Sequence, residues 1–412
     1  MRLNRISVLV VCILAAAWLP GEVTLLAQEV RPMLLENGWI LDGTGSQPYR
    51  ASVLVRDGKI AWIGEGRPDG LPPRAQVIDL GGRYLLPGFI DAHVHISGPD
   101  PARRALLSGV TTARSMGIDH FADVGLRELI EKGAAEGPEM LAAGYHIRPQ
   151  VSPRAFLDNP DLSDLMDGLK GQDAFRRMAQ FNLGRGVDWL KIVATDRAGL
   201  PTTDPRRQIM SLGEARAVVQ AAEDQGIPVA AHAHGDAGAR AAVEAGVRSI
   251  EHGTYLSEET LRLMKEKGTF LVPTVAVVRD LTEAGGDYDN PTLRMRGRHM
   301  LPRVCSMVGR AFSMGVPVVA STDTGYSAQS LLRMPHDILE LTRCGLSPMQ
   351  ALQAATQTGA RLLRIEDRTG TIQAGLEADL IVVEDNPLED VVTLQDVMVV
   401  IHDGRTALSR LP

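Results

Sequence analysis

Two histidines stand two residues apart in "PGFIDAHVHIS", His93 and His95. In an extended strand, residues i and i+2 share a face, so both imidazoles can reach one cation. A second pair, His232 and His234, sits in "PVAAHAHG", and His252 follows in "SIEHGTY". The gap from His232 to His252 has the length of one strand-helix-strand step, which places these two at neighbouring strand ends. Neutral imidazole suits zinc and similar divalent ions, and a catalytic site of that kind keeps a position for water. Asp323, in "VVASTDTG", adds a carboxylate able to bind a cation and to move a proton. Read in isolation, an H-x-H pair is as often structural as ligating, and an Asp before a Gly turn is more often a turn residue.

Lys191 lies in "DWLKIVATD" among apolar neighbours. Burial there lowers the pKa of a lysine and favours its free amine, which can react with CO2 to give a carbamate that bridges two cations. The plainer alternative is a lysine paired with an acid. His146 follows a third apolar run in "AAGYHIRPQ"; His120, His299, His336 and His402 fall in expected loops or helices and read as surface or packing residues.

Positioning these groups requires strands whose ends converge. Eight β-type runs qualify: 88–96, 110–116, 139–145, 188–194, 228–234, 249–255, 270–276 and 317–323, each followed by a helix-compatible segment. This is the pattern of an α/β chain, a (β/α)8 TIM barrel over residues 87–366, whose active site sits at the C-terminal strand ends. The segment 148–171 after the third run is long and aperiodic, as lids are, and its Arg148 and Arg154 are solvated or meet a substrate carboxylate. Short β runs cut by Gly and Asp fill residues 28–86 and return in 367–412, which predicts a small β-sandwich built from both termini. Asn37-Gly38 and Asp57-Gly58 read there as hairpin turns.

These motifs resemble the amidohydrolase superfamily over nearly the whole chain after residue 27, and are closest to the branch of imidazolonepropionase-like enzymes and metal-dependent Xaa-Pro dipeptidases. The resemblance extends to the closing "AGLEADLIVVEDNPLEDV". It implies that His93, His95 and Asp323 hold one metal ion, that His232 and His252 hold a second, and that carbamylated Lys191 bridges them. It further implies two divalent ions, zinc by default with manganese, cobalt or iron as alternatives, and a bridging hydroxide that attacks an amide carbonyl while Asp323 shuttles the proton. His146 and His234 are expected at the substrate, with a supporting role behind the ligands as the alternative for His234. "TTARSMG" resembles a family segment that carries Asp where this chain has Ser115, so Arg114 is expected to lack an ion-pair partner there.

The expected substrate is a dipeptide or N-acyl amino acid. Rival readings are a mononuclear cyclic amidase, a lactonase or esterase of the same superfamily, and a non-catalytic binding protein; no expected ligand position is lost, which argues against the last. With net charge −7 and 4% aromatics among 412 residues, the chain lacks the basic surface and stacking platforms of a nucleic-acid binder. Met1 to Arg5 is basic, and Ile6 to Leu19 is an apolar run shorter than the roughly 20 residues of a spanning helix. Residues 1–27 therefore read as a signal peptide and the protein as exported, periplasmic or secreted, without a stable membrane partner. A homo-oligomer is compatible with the composition. Export would leave Cys305 and Cys344, read as two buried thiols in helix packing with a single bridge as the alternative.

Overall fold

The computed structural model describes residues 31–411, so the signal-peptide segment lies outside the described residues. Fifteen strands are present among them: β1 Met33–Ile40, β2 Tyr49–Arg56, β3 Lys59–Gly64, β4 Gln76–Asp79, β5 Tyr84–Pro87, β6 Phe89–Val94, β7 Val110–Ser115, β8 Glu139–Leu141, β9 Leu190–Val193, β10 Val229–Gly235, β11 Ser249–Tyr255, β12 Phe270–Val272, β13 Leu380–Val383, β14 Val397–His402 and β15 Arg405–Ser409.

The two ends of the chain share one hydrogen-bonded sheet in the order β15-β14-β13-β5-β1-β2-β3, with β4 also on β1. Its apolar side chains alternate inward, so Leu35, Val53 and Val55 from the front of the sequence pack with Leu380, Val382 and Val399 from its end. Asp57-Gly58 turns β2 into β3 with both residues at positive φ, as a two-residue hairpin demands, and Asp403-Gly404 does the same for β14 and β15. Asn37-Gly38 is not a hairpin turn. Asn37 takes φ 58° inside β1, where the register with β2 shifts between Leu35 and Gly38, so the dipeptide makes a bulge.

The middle of the chain is built from parallel pairs. One sheet runs β6-β7-β8 and another β9-β10-β11-β12. A parallel bridge from Ile147 to Ile192 links the stretch after β8 to β9. The expected eighth strand at 317–323 forms no regular ladder. It keeps two parallel bridges, Leu271 to Val318 and Val94 to Thr324, and so leans on β12 at its start and on β6 at its end. Two residues explain the break: Asp323 has φ 53°, and Ala320 N–H donates to Ala354 O instead of to a strand neighbour.

Helices follow the strands and show why they form. The helix Leu212–Glu223 starts on a capping box of Ser211 with Glu214, which satisfies otherwise unpaired N–H groups. The helix Glu258–Lys267 is capped by Ser257, ends on Gly268 at φ 68°, and buries Thr260, Leu261 and Met264 on one face. Each such buried Leu or Met contributes roughly 1.5–3 kcal/mol relative to exposure. The 148–171 segment is more ordered than its sequence suggests, with a helix Arg154–Asp158 and a 3-10 turn Pro160–Leu165. Cys305, in the long helix Pro291–Ser313, is disulfide-bonded to Cys344 at the end of the helix Met334–Arg343, so the two-thiol expectation is corrected. The bond encloses the stretch that carries Asp323. No described helix is long and apolar enough to cross a membrane.

Candidate metal centre

A cavity of about 130 Å³ is lined by His93, His95, His146, Lys191, His232, His234, His252 and Asp323, all eight residues singled out by sequence. They come from several separate segments of the chain. His93 is the penultimate residue of β6 and His95 follows the strand, Lys191 is the second residue of β9, His232 and His234 are on β10, and His252 is on β11. His146 follows β8, and Asp323 is held to β6 by its N–H donating to His93 O at 2.8 Å.

The outer ring nitrogens are engaged, which sets the direction of the inner ones. His93 Nδ1 donates to Glu251 Oε2 at 2.7 Å, and His95 Nδ1 donates to Gly117 O at 3.1 Å. His232 Nε2 donates to Asp196 O at 3.2 Å. His234 Nδ1 pairs with Thr254 Oγ1 at 2.9 Å and His252 Nδ1 with Thr274 Oγ1 at 2.7 Å. Such partners fix tautomer and ring orientation, so the remaining nitrogens present lone pairs to one another. His95 Nε2 stands 3.1 Å and His93 Nε2 3.4 Å from Asp323 Oδ1. Two groups of donor atoms lie within 4.8 Å of one another: His232 with His234 and His252, and His93 with His252 and Asp323. His234 thus sits among the expected ligands, and His252 is common to both groups.

Burial favours neutral rings. It drives the His93 imidazole down to about 4 and that of His234 to about 3, and it pushes His146, His232 and His252 well below the usual value. Burial likewise lowers Lys191 to about 8. Its Nζ is 3.4 Å from His93 Nε2, and it forms no ion pair among the described residues, so the paired-lysine alternative is not what the geometry presents. Burial opposes the charge of Asp323, but His93, His95 and Lys191 outweigh it and hold the carboxyl well below its usual range. Converging imidazoles, an ionised carboxylate and a buried amine are a donor set that fits divalent cations.

Several supporting residues were not foreseen. Glu251 is fully buried beside His252 and joins His93 to Arg114, whose Nη2 donates to Glu251 Oε1 at 3.1 Å. Arg114 also donates to Ala92 O at 2.6 Å and lies over the Trp189 ring at 4.3 Å. It therefore has an ion-pair partner, supplied by β11 instead of its own strand. An acid directly before a candidate ligand in "SIEHG" was the available signal. Gly117 gave no such signal in sequence: at φ +118°, an added Cβ would come within 2.5 Å of His146 Cε1. His252 at φ 73° and Thr274 at φ 47° hold backbone conformations uncommon for side-chain-bearing residues, as functional sites often do.

Three of the other histidines have partners of their own, and His336 Nδ1 accepts from Arg333 N–H at 3.1 Å. His402 ends β14 and donates through Nδ1 to Asp379 at 2.8 Å, and His120 Nδ1 lies 3.0 Å from Asp158, which also accepts from Tyr145 at 2.6 Å. Arg154 is exposed and paired with Asp119 at 3.1 Å.

Comparison with known proteins identifies the family. A solved Xaa-Pro dipeptidase with methionine bound in its active site is 29% identical, with TM-score 0.80, over 91% of this chain and 99% of the other. A prolidase complexed with N-methylphosphonate-L-proline is 26% identical, with TM-score 0.77, over 92% of this chain and 100% of the other. The ochratoxinase of Aspergillus niger is 24% identical over 91% of this chain and 85% of its own length. The sequence pattern of the Amidohydrolase family matches residues 84–407, and the chain belongs to that family of hydrolases.

Proposed function

We propose that this protein is an exported, metal-dependent amidohydrolase that cleaves the amide or peptide bond of a dipeptide or N-acyl amino acid at a centre of two divalent ions. One observation carries the reading. His95 Nε2 and His93 Nε2 converge on one oxygen, Asp323 Oδ1, at 3.1 and 3.4 Å, while the Nδ1 atoms of both rings are engaged on Gly117 O and Glu251, so three ligand-type atoms are held around one point as the donors of a divalent ion would be. His93, His95 and Asp323 would hold one ion, and His232 and His252 the other. Zinc is the default, with manganese, cobalt or iron accepted by the same donors. Lys191 would bridge as a carbamate, its free amine adding to CO2 with loss of a proton; burial that lowers it to about 8 favours the reactive form. The grouping of His234 with His232 and His252 supports a second reading at that end, in which His234 ligates instead of meeting substrate.

When bound, the ions supply an acidified water and polarise the scissile carbonyl. The chain's own residues do the rest. Asp323, ionised, accepts the proton of the attacking water and delivers it to the leaving nitrogen. His146 and His234, neutral, offer hydrogen bonds to the substrate, and Val277, Val278 and Leu281 give the cavity an apolar wall. Its small volume suits a small substrate, and the relatives that are dipeptidases and prolidases support that class.

The cyclic run of parallel bridges supports a closed (β/α)8 barrel over residues 87–366, with 28–86 and 367–412 as the β-sandwich. The Cys305–Cys344 bond supports export, since such bonds persist in oxidising compartments. The test is a screen of metal-reconstituted protein on dipeptides, N-acyl amino acids and lactones. Amide hydrolysis that Lys191→Ala and Asp323→Asn abolish is the expected result; cleavage of lactones alone would overturn the proposal.

A further inference from the structure

One cation in the cavity wall has no counter-charge among the described residues. Arg197 lines the cavity with His146, Lys191 and His232, yet its guanidinium joins no hydrogen bond or ion pair there. The adjacent acid is already committed: Asp196 Oδ2 accepts from Arg207 at 2.7 Å, and Asp196 O accepts from His232. The loop that carries Arg197 is nevertheless held firmly. Arg197 O accepts from Thr203 Oγ1 at 2.5 Å, and a bridge between Thr195 and Gln208 closes the base of the loop. Arg296, from the helix Pro291–Ser313, donates to Ala198 O at 2.5 Å, Leu200 O at 2.6 Å and Thr203 O at 2.5 Å. Arg148, half-buried and also without a hydrogen-bond partner among the described residues, is lowered by burial and then by the charge of Arg197. Arg148 lies two residues beyond His146, and after burial and the charges of His95 and Lys191 the charges of Arg197 and Arg148 also disfavour protonation of the His146 ring.

A guanidinium on a cavity wall, held by its backbone and free at its fork, is a receptor for a planar anion, because the fork matches two carboxylate oxygens. We propose that Arg197, with Arg148 behind it, receives a carboxylate of the substrate while Val277, Val278 and Leu281 take an apolar group. The carboxylate that a dipeptide or N-acyl amino acid carries is thereby given a partner, and the substrate is narrowed to those with an apolar side chain. This rests on the amidohydrolase reading above for the bond that is cleaved, but the subsite itself belongs to the chain's own residues.

The test uses two probes with no amide to cleave, 4-methylpentanoate and 4-methylpentanol, as ligands of the metal-loaded protein followed by calorimetry, together with kcat/KM for a dipeptide and its C-terminal amide. The wild-type protein should prefer the acid in both measurements. Arg197→Gln should reduce that preference about 10- to 100-fold, the loss expected for a charge-assisted pair, while Arg197→Lys retains part of it and Arg148→Gln has a smaller effect. An unchanged preference in Arg197→Gln, or equal weakening of acid and neutral probe, would overturn the proposal. So would tighter binding of inorganic phosphate than of the acid. If no amide is hydrolysed but the binding preference exists and falls in Arg197→Gln, the hydrolase reading fails and the subsite stands; hydrolysis with an Arg197-independent preference sinks the subsite alone.

Discussion

Replacing Glu251 by Gln tests how the site is held without touching any donor that faces the cavity. Glu251 is fully buried and accepts from His93 Nδ1 at 2.7 Å, from Arg114 Nη2 at 3.1 Å and from Ser249 Oγ at 2.5 Å. Gln is nearly isosteric, but it has one carbonyl oxygen for these donors and turns an N–H group towards one of them. Removing one member of a buried ion pair leaves its partner uncompensated, at a cost of about 3–5 kcal/mol. Three hydrogen bonds to a charged group at roughly 1.5–3 kcal/mol each would sum to more, but they share one carboxylate and are not additive. The expected stability loss is therefore about 3–5 kcal/mol. The same change releases His93 to adopt the other tautomer, with Nε2 protonated and lost as a donor, so metal affinity should fall about 10- to 100-fold. Denaturant unfolding of the metal-free protein gives the first quantity, and competition with a graded chelator, read by elemental analysis, gives the second. Wild-type metal affinity in a folded Glu251→Gln protein would refute the reasoning, because it would mean that the His93 tautomer does not depend on Glu251.

Three further outcomes follow from the geometry. Gly117→Ala puts a Cβ 2.5 Å from His146 Cε1 at φ +118°, so it should cost about 1–3 kcal/mol and raise KM through displaced His146; an unaltered KM with wild-type stability would contradict this. Opening Cys305–Cys344, which spans 39 residues, should lower stability by about 4 kcal/mol from loop entropy, and urea midpoints with and without dithiothreitol would show it. Burial opposes charging of His402, but its hydrogen bond to Asp379 outweighs that, so its folded pKa is raised above 6.5. Its charge therefore adds stability that is full below pH 6.5 and lost as pH rises through the folded value. His402→Phe should cost about 1.5–3 kcal/mol at pH 5.5 and less at pH 9; an equal cost at both would be evidence against the raised value.

The ligand-type residues were legible because strand periodicity and motif order speak about side chains that point one way. His93, His95, Lys191, His232, His252 and Asp323 reach one cavity as that logic requires. What stayed hidden depends on contacts between distant segments. Glu251 meets Arg114 across a sequence gap of 137 residues, and no local pattern marks that pairing. The eighth strand failed for a similar reason: its apolar run reads as extended, but Asp323 takes a positive φ and Ala320 N–H is drawn to Ala354 O, so only isolated bridges form there. Asn37-Gly38 has a hairpin's composition and sits in a bulge, since the same positive φ serves both. Cys305 and Cys344 are 39 residues apart on two helices, and only the packing of those helices brings them together.

The central claim is a two-ion centre, and the most direct measurement is the metal content of purified, active protein per chain, by elemental analysis. Two ions per chain, falling in Lys191→Ala with loss of amide hydrolysis, is the predicted result. One ion per chain in a fully active protein, unchanged by Lys191→Ala, would contradict it.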